Sequence, residues 1–67
     1  MDTEEAIDRG IRFLEEKAGH YTHKLENIKL AGAIWIIRFN VGFFEDVRVE
    51  LKIDDATERV VSYEQLK

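Results

Sequence analysis

The sequence contains no cysteine and no proline, and only four of its 67 residues are glycine. Without cysteine, disulfide bonds and thiolate-bound metal centres are both excluded. A chain this short buries only about 60% of its unfolded surface. Its stability therefore has to come from packing, from surface charge or from self-association. The lack of cysteine also fits a reducing cytoplasm, which is the location that we expect.

A long hydrophobic run and an excess of basic residues are also missing. The longest uncharged apolar stretch, residues 30–37, is far shorter than the roughly 20 residues of a membrane-spanning helix. Residues 1–5 are acidic, whereas a secretory signal begins with basic residues and an apolar run. Ten Lys and Arg are interleaved with fourteen Asp and Glu, and the net charge is −4. Nucleic-acid binders usually show a basic stripe, which is missing here. From these three observations we expect that the chain does not span a membrane, is not exported and does not bind nucleic acid.

The first segment has the features of an amphipathic helix over residues 3–18. Asp2 can cap the helix, and Glu5, three residues later, can complete a capping box. Gly19 can adopt the left-handed conformation that ends many helices. Apolar residues recur every three or four positions, which is the period of one helix face. They are Ala6, Ile7, Gly10, Ile11, Leu14 and Ala18.

The rest of the chain alternates between apolar and polar residues, as β-strands do. The clearest case is residues 47–53, which place every second side chain on a core. The other predicted strands are residues 24–30, residues 33–44 with a bulge or bend at Gly42, and residues 58–63. Turns are expected at residues 31–32, 45–46 and 54–57, and residues 65–67 are expected to fray.

Short turns between consecutive strands favour antiparallel neighbours. The apolar face of the helix can be buried only against one face of the resulting sheet. The sequence therefore predicts a single α+β domain over residues 1–67. Its expected architecture is one N-terminal helix packed on a three- to four-stranded antiparallel sheet.

The stretch from Trp35 to Tyr63 resembles a PepSY-type domain, and with the helix the likeness spans most of the chain. A tryptophan opens a long strand in AIWII, a charged hairpin leads into VRVELKID, and DDATERVV is similar to the family's V-D-A-x-T-G-x-V turn and closing strand. Glu58 stands where the family has glycine. The resemblance implies a broadly cystatin-like fold and a role in binding or inhibiting peptidases or regulating neighbouring domains. It assigns no binding residue.

Three groups of polar residues are candidates for chemical sites. His20 and His23 could share a metal with Glu26, but this spacing falls short of a zinc pattern. Asp54, Asp55 and Glu58 lack the ligand number and the central glycine of a calcium loop, and are typical of an Asp-rich turn. Glu45 and Asp46 lie at a hairpin tip, which usually offers neither the burial nor the neighbouring charge that a catalytic acid–base pair needs. We therefore expect no enzyme, no metal and no cofactor.

The segment around Trp35 carries the functional prediction. One face of this strand should lie beneath the helix and consists of Trp35, Ile37, Phe39 and Val41. The alternative is that a bulge at Gly42 makes one half of the strand present its opposite face to the helix. Apolar residues on the opposite face would form an exposed patch, which usually marks an interaction surface. The predicted interface has an apolar centre of Ile34, Ile36 and Phe44 and a polar rim of Arg38, Arg48, Glu50 and Lys52.

This interface predicts a non-catalytic interaction or regulatory module that forms a homodimer, through the outer sheet face or an edge strand, or binds another protein. An alternative is a small-molecule binding protein. Its pocket would lie between helix and sheet, where Ala6, Gly10 and Ala18 leave room. A PepSY-like peptidase-regulating domain is the other alternative.

Overall fold

A computed structural model of the chain describes residues 1–66. One helix precedes four strands, in the order α1 (Thr3–Glu16), β1 (Lys24–Ala31), β2 (Ile34–Asn40), β3 (Arg48–Asp54) and β4 (Val60–Leu66). The strands form one antiparallel sheet in the order β1-β2-β3-β4, so each strand pairs with the next along the chain. The predicted α+β class, with one helix packed on an antiparallel sheet, is confirmed.

The helix begins with the predicted capping box. The Glu5 amide donates a 2.8 Å hydrogen bond to the Asp2 carboxylate, and the Asp2 amide donates one of 3.4 Å to the Glu5 carboxylate. Two amide groups that the first turn would leave without partners are thereby satisfied. Glu4 and Glu5 also place negative charge at the positive end of the helix dipole.

The helix ends at Glu16, two residues before its predicted end. The Phe13 carbonyl accepts hydrogen bonds from the amides of both Lys17 and Ala18, which widens the last turn. Gly19 then has a φ of 74°, a conformation that costs glycine little. The prediction that Gly19 supplies the left-handed residue after the helix is confirmed, although it lies further beyond the last helical residue than expected.

The core lies between α1 and the inner face of β2 and β3. Gly10 allows the close approach, because a Cβ there would lie 3.1 Å from the Phe39 ring and 3.5 Å from Leu51. Burying a large apolar side chain stabilises the fold by about 1.5–3 kcal/mol. The buried apolar residues are Ala6, Leu14, Trp35, Ile37, Phe39, Val41, Val49, Leu51 and Ile53. The predicted inner faces of β2 and β3 are confirmed.

A tight turn connects β1 to β2 one residue later than predicted. Ala31 pairs with Ile34, so the two turn residues are Gly32 and Ala33. Gly32 has a φ of 64°. A positive φ at the first of two turn residues is the requirement of a type II′ hairpin turn.

The prediction that β2 continues to Phe44 is wrong, because the strand ends at Asn40. The Asn40 side-chain oxygen accepts hydrogen bonds from the amides of Gly42 and Val47, at 3.0 and 3.1 Å. These bonds turn the backbone away from the strand direction. A Cβ on Gly42 would lie 1.6 Å from the Glu45 carbonyl oxygen, so the turn closes only around glycine. The connection therefore spans residues 41–47 rather than the predicted turn at residues 45–46.

The β3–β4 connection is the predicted Asp-rich turn. The Asp54 side chain accepts hydrogen bonds from the amides of Ala56 and Thr57, at 2.8 and 3.1 Å. The Glu58 amide donates to the Asp54 carbonyl, and Glu58 has a φ of 60°. Because the chain is still turning at Glu58, β4 begins at Val60 and not at residue 58.

The prediction of fraying at residues 65–67 is wrong for the two residues that the structure describes. Gln65 pairs with Val49 and Leu66 with Arg48, so β4 runs alongside β3 up to Leu66. The apolar pattern does not predict this pairing, because Glu64 and Gln65 interrupt it. Lys67 lies outside the described residues.

Candidate functional site

Six of the seven predicted interface residues lie on the outer face of the sheet, which α1 does not cover. In the β2–β3 register Ile34, Ile36 and Arg38 alternate with the buried residues of β2. Glu50 pairs with Arg38 and Lys52 with Ile36, while Arg48 pairs with Asn40. The structure therefore brings these six residues together as predicted.

Charged groups cover most of this outer face. Arg38 donates a 2.9 Å hydrogen bond to the Glu50 carboxylate, and Arg48 donates one of 2.8 Å to Glu26. Glu50 is only 8% exposed even though no helix lies over it. A charge so shielded needs a partner, and Arg38 provides it. Arg38 and Arg48 thus each have a carboxylate partner, and both side chains remain about half exposed.

The apolar part of the outer face is small. Ile34 and Ile36 are half-buried, and Ile36 lies beside Lys29 and Lys52 in the strand register. A shallow depression of about 210 Å³ opens beside Ile36, and its other lining residues are Asn27, Lys29, Arg38, Glu50 and Lys52. The two isoleucines therefore form a narrow apolar strip within a polar surface.

Phe44 does not belong to this face. It lies in the loop after β2, whereas Ile34 begins that strand at its other end. The predicted apolar centre of Ile34, Ile36 and Phe44 is therefore not one continuous patch. The reason is the turn at Asn40 and Gly42, which ends the alternation four residues before Phe44.

The loop instead presents two aromatic rings to solvent. Phe43 is 76% exposed and Phe44 is 93% exposed. Their rings pack edge to face, with centroids 4.6 Å apart and planes inclined by 83°. Leaving two large apolar side chains in water forgoes the free energy that their burial would supply. We call residues 41–47 the aromatic loop.

The aromatic loop is held by defined contacts at both ends. The Val41 amide donates a 2.8 Å hydrogen bond to the Val47 carbonyl, and the Val41 side chain is buried in the core. The Asn40 side-chain amide donates a 2.9 Å hydrogen bond to the Asp46 carboxylate. With the two backbone bonds to the Asn40 oxygen, these contacts fix both ends of the loop.

Phe43 is the functional candidate that the sequence analysis missed. The two adjacent phenylalanines already indicated it, because adjacent residues of a strand point to opposite faces. Phe43 and Phe44 could therefore not both be covered by one helix. The flanking Glu45 and Asp46 are also typical of an exposed loop rather than of a buried strand.

The predicted pocket between helix and sheet has no room at its centre. Ala6 is fully buried, and the space beside Gly10 is filled by Phe39 and Leu51. A groove of about 610 Å³ opens instead along one side of α1, next to the β3–β4 turn. Its lining residues are Arg9, Arg12, Phe13, Glu16, Lys17, Glu58, Arg59 and Val60. We call it the basic groove.

The two histidines make separate contacts. His20 lies 3.2 Å from the Tyr63 hydroxyl, and His23 lies 3.0 Å from the Glu15 carboxylate. Partial burial raises the pKa of Tyr63 above its ordinary value. Glu26, the third proposed metal ligand, is paired with Arg48. Within residues 1–66 no three His, Cys, Asp or Glu side chains are grouped as a metal site requires.

Apolar side chains are also exposed on the inner face of β1. Leu25 pairs with Phe39 and Leu30 with Trp35, so both point to the helix side. They are nevertheless exposed, because α1 packs mainly over β2 and β3. Ile28, which lies between them in the sequence, packs against the core, so the inner face of β1 is covered only in part.

Comparisons of the chain with protein-family models, with curated proteins and with solved structures found no match. The PepSY-like resemblance therefore stays a prediction. No helix within residues 1–66 is long and apolar enough to cross a membrane.

Proposed function

We propose that this chain is a non-catalytic protein-interaction module that self-associates, with Phe43 and Phe44 as its principal contact. The observation that carries the proposal is the exposure of two adjacent phenylalanines on a loop that is tied at both ends. A loop whose ends are already fixed loses less conformational freedom on binding than a free one, so more of the burial energy is available for affinity.

The energetic scale is adequate for a weak to moderate contact. Fully burying one phenylalanine is worth about 1.5–3 kcal/mol, and two adjacent rings form the kind of aromatic cluster that dominates interfaces. A domain of 67 residues also has a small core. Burial of Phe43 and Phe44 between copies would add apolar contact that the isolated chain lacks.

The outer sheet face is the second candidate contact. Ile34 and Ile36 remain partly exposed there, and Arg38, Arg48, Glu50 and Lys52 surround them. The outer face is a weaker candidate than the aromatic loop, because its charged side chains already form ion pairs with each other and gain little from a partner. It can be separated from the aromatic loop by mutation.

A dilution series followed by amide NMR tests the proposal. Chemical shifts of residues 42–46 should change with concentration, and Phe44→Ser should abolish the change. Ile36→Ser is the matched control, since it also replaces a partly exposed apolar residue by serine. Changes that centre on Ile34 and Ile36 and survive Phe44→Ser would replace the aromatic loop by the outer face. Spectra independent of concentration would contradict self-association.

A further inference from the structure

The basic groove has an apolar floor. Phe13 and Val60 are partly buried and pack against the core, and both line the groove. Phe13 also contacts Tyr63, with ring centroids 5.4 Å apart, which fixes its orientation. An aromatic ring that entered the groove would therefore meet a firm apolar surface.

The rim of the groove is positively charged, although the chain as a whole carries a net charge of −4. Four basic side chains and two carboxylates line it. Arg9 is paired with Glu58. Arg12, Lys17 and Arg59 form no ion pair within the described part of the chain, and all three are exposed. The groove thus offers free positive charge around an apolar floor.

The aromatic loop has the complementary chemistry. Its tip is Phe43-Phe44-Glu45, two exposed apolar rings followed directly by an exposed carboxylate. The next carboxylate, that of Asp46, is already held by Asn40 and Arg48. The groove volume of about 610 Å³ lies within the range of roughly 300–1,000 Å³ that holds drug-sized ligands. A pair of phenylalanine side chains is an occupant of that size.

We propose that the basic groove of one copy receives the tip of the aromatic loop of a second copy. Phe43 and Phe44 lie on the floor of Phe13 and Val60, and Glu45 faces the basic rim. This inference rests on the proposed self-association and identifies the surface that the loop contacts.

The contact has to form between copies rather than within one. The aromatic loop precedes β3 and the β3–β4 turn follows it, so the loop and the turn side of the groove lie at opposite ends of a seven-residue strand. At about 3.3 Å per residue, that strand separates them by roughly 20 Å. Each copy therefore offers one loop and one groove, which allows a reciprocal dimer or a head-to-tail assembly.

Two double variants test the inference by complementation. The loop variant is Phe43→Ser with Phe44→Ser, and the groove variant is Arg12→Glu with Arg59→Glu. Each variant alone should associate at least about tenfold more weakly than the wild type, a loss of roughly 1.4 kcal/mol. An equimolar mixture should form a 1:1 complex, because one variant keeps an intact loop and the other an intact groove.

Lys24→Glu with Lys29→Glu is the matched control. It makes the same change in net charge as the groove variant at two exposed positions of β1, and should associate as the wild type does. Thermal unfolding of every variant checks that the fold is retained. In addition, raising the salt concentration should weaken the wild-type contact, since screening reduces attraction between exposed charges.

The outcomes separate the two proposals. If the groove variant associates as strongly as the wild type while the loop variant does not, the groove assignment is overturned and self-association through the loop stands. If the mixture of loop and groove variants stays monomeric, the groove assignment is also overturned. If the wild type is monomeric at every concentration, both proposals fail.

Discussion

The indole Nε1 of Trp35 donates a 2.8 Å hydrogen bond to the carboxylate of Asp55. This bond ties the start of β2 to the β3–β4 turn, 20 residues later in the chain. The hydrogen bond from Trp35 is the main reason why the pKa of Asp55 lies below its ordinary value of 3.8. Partial desolvation opposes the shift, and the positive charge of the N-terminal amine, 3.6 Å away, adds to it.

Asp55→Asn should change the response of stability to acid. Because the pKa of Asp55 is lower in the folded than in the unfolded state, its ionised form stabilises the fold above the unfolded pKa. That contribution disappears as the pH falls below 3.8 and through the folded pKa. Urea denaturation between about pH 5 and about pH 2 should show the stability gap between wild type and variant closing. A gap that stays constant over this range would contradict the assignment.

The conformation of Glu58 should carry a measurable strain. A non-glycine residue at a φ of 60° is held at a cost of about 1 kcal/mol or more. Glu58→Gly and Glu58→Ala both remove the ion pair with Arg9, but only glycine relieves the strain. We therefore expect the glycine variant to be more stable than the alanine variant by about 1 kcal/mol in chemical denaturation. Equal stabilities would show that the turn relaxes around alanine without strain.

Asn40 should prove essential to the form of the aromatic loop. Asn40→Ala removes the acceptor of the Gly42 and Val47 amides and should cost about 1–3 kcal/mol of unfolding free energy. Asn40→Asp combined with Asp46→Asn keeps an acceptor oxygen for both amides and exchanges the donor and acceptor of the side-chain pair, so it is the matched control and should cost less. Chemical denaturation compares the two, and an alanine variant as stable as the double variant would contradict this role.

Leu14→Ala tests the packing of the helix on the sheet. Leu14 is fully buried, and such truncations cost about 2–5 kcal/mol, a large fraction of the stability of a small domain. Leu25→Ala makes the same chemical change at an exposed position of β1 and should cost less than about 1 kcal/mol. Circular dichroism during urea denaturation measures both, and similar losses would place the helix elsewhere on the sheet.

The parts of the fold that local patterns determine could be predicted from the sequence. The capping pair Asp2 and Glu5 follows from residue type and spacing, and the inner face of β3 follows from the strict alternation around Leu51. Both patterns act within a few residues and have a single structural solution.

The end of β2 could not be predicted in the same way. It depends on one side-chain oxygen, that of Asn40, which takes two backbone amides away from the strand direction. The apolar pattern continues through Phe43 and Phe44, so it favours a longer strand. The Asn40 side chain competes with strand pairing for these backbone amides, and three-dimensional contacts decide which prevails. The position of the aromatic loop depends on that outcome.

The basic groove was also beyond a reading of the sequence alone. Arg12 on α1 and Arg59 after the β3–β4 turn are 47 positions apart, and their approach depends on the direction in which α1 crosses the sheet. Charge patterning along the chain shows interleaved acids and bases, with no sign that free positive charge collects at one place.

Sedimentation equilibrium over about 10 μM to 1 mM, a range that covers weak self-association, tests the central claim most directly. The wild type should show an average mass that rises with concentration from 7.9 kDa towards twice that value or beyond. The double variant Phe43→Ser with Phe44→Ser should stay at the monomer mass throughout. A wild-type mass that remains at 7.9 kDa at every concentration would contradict the account.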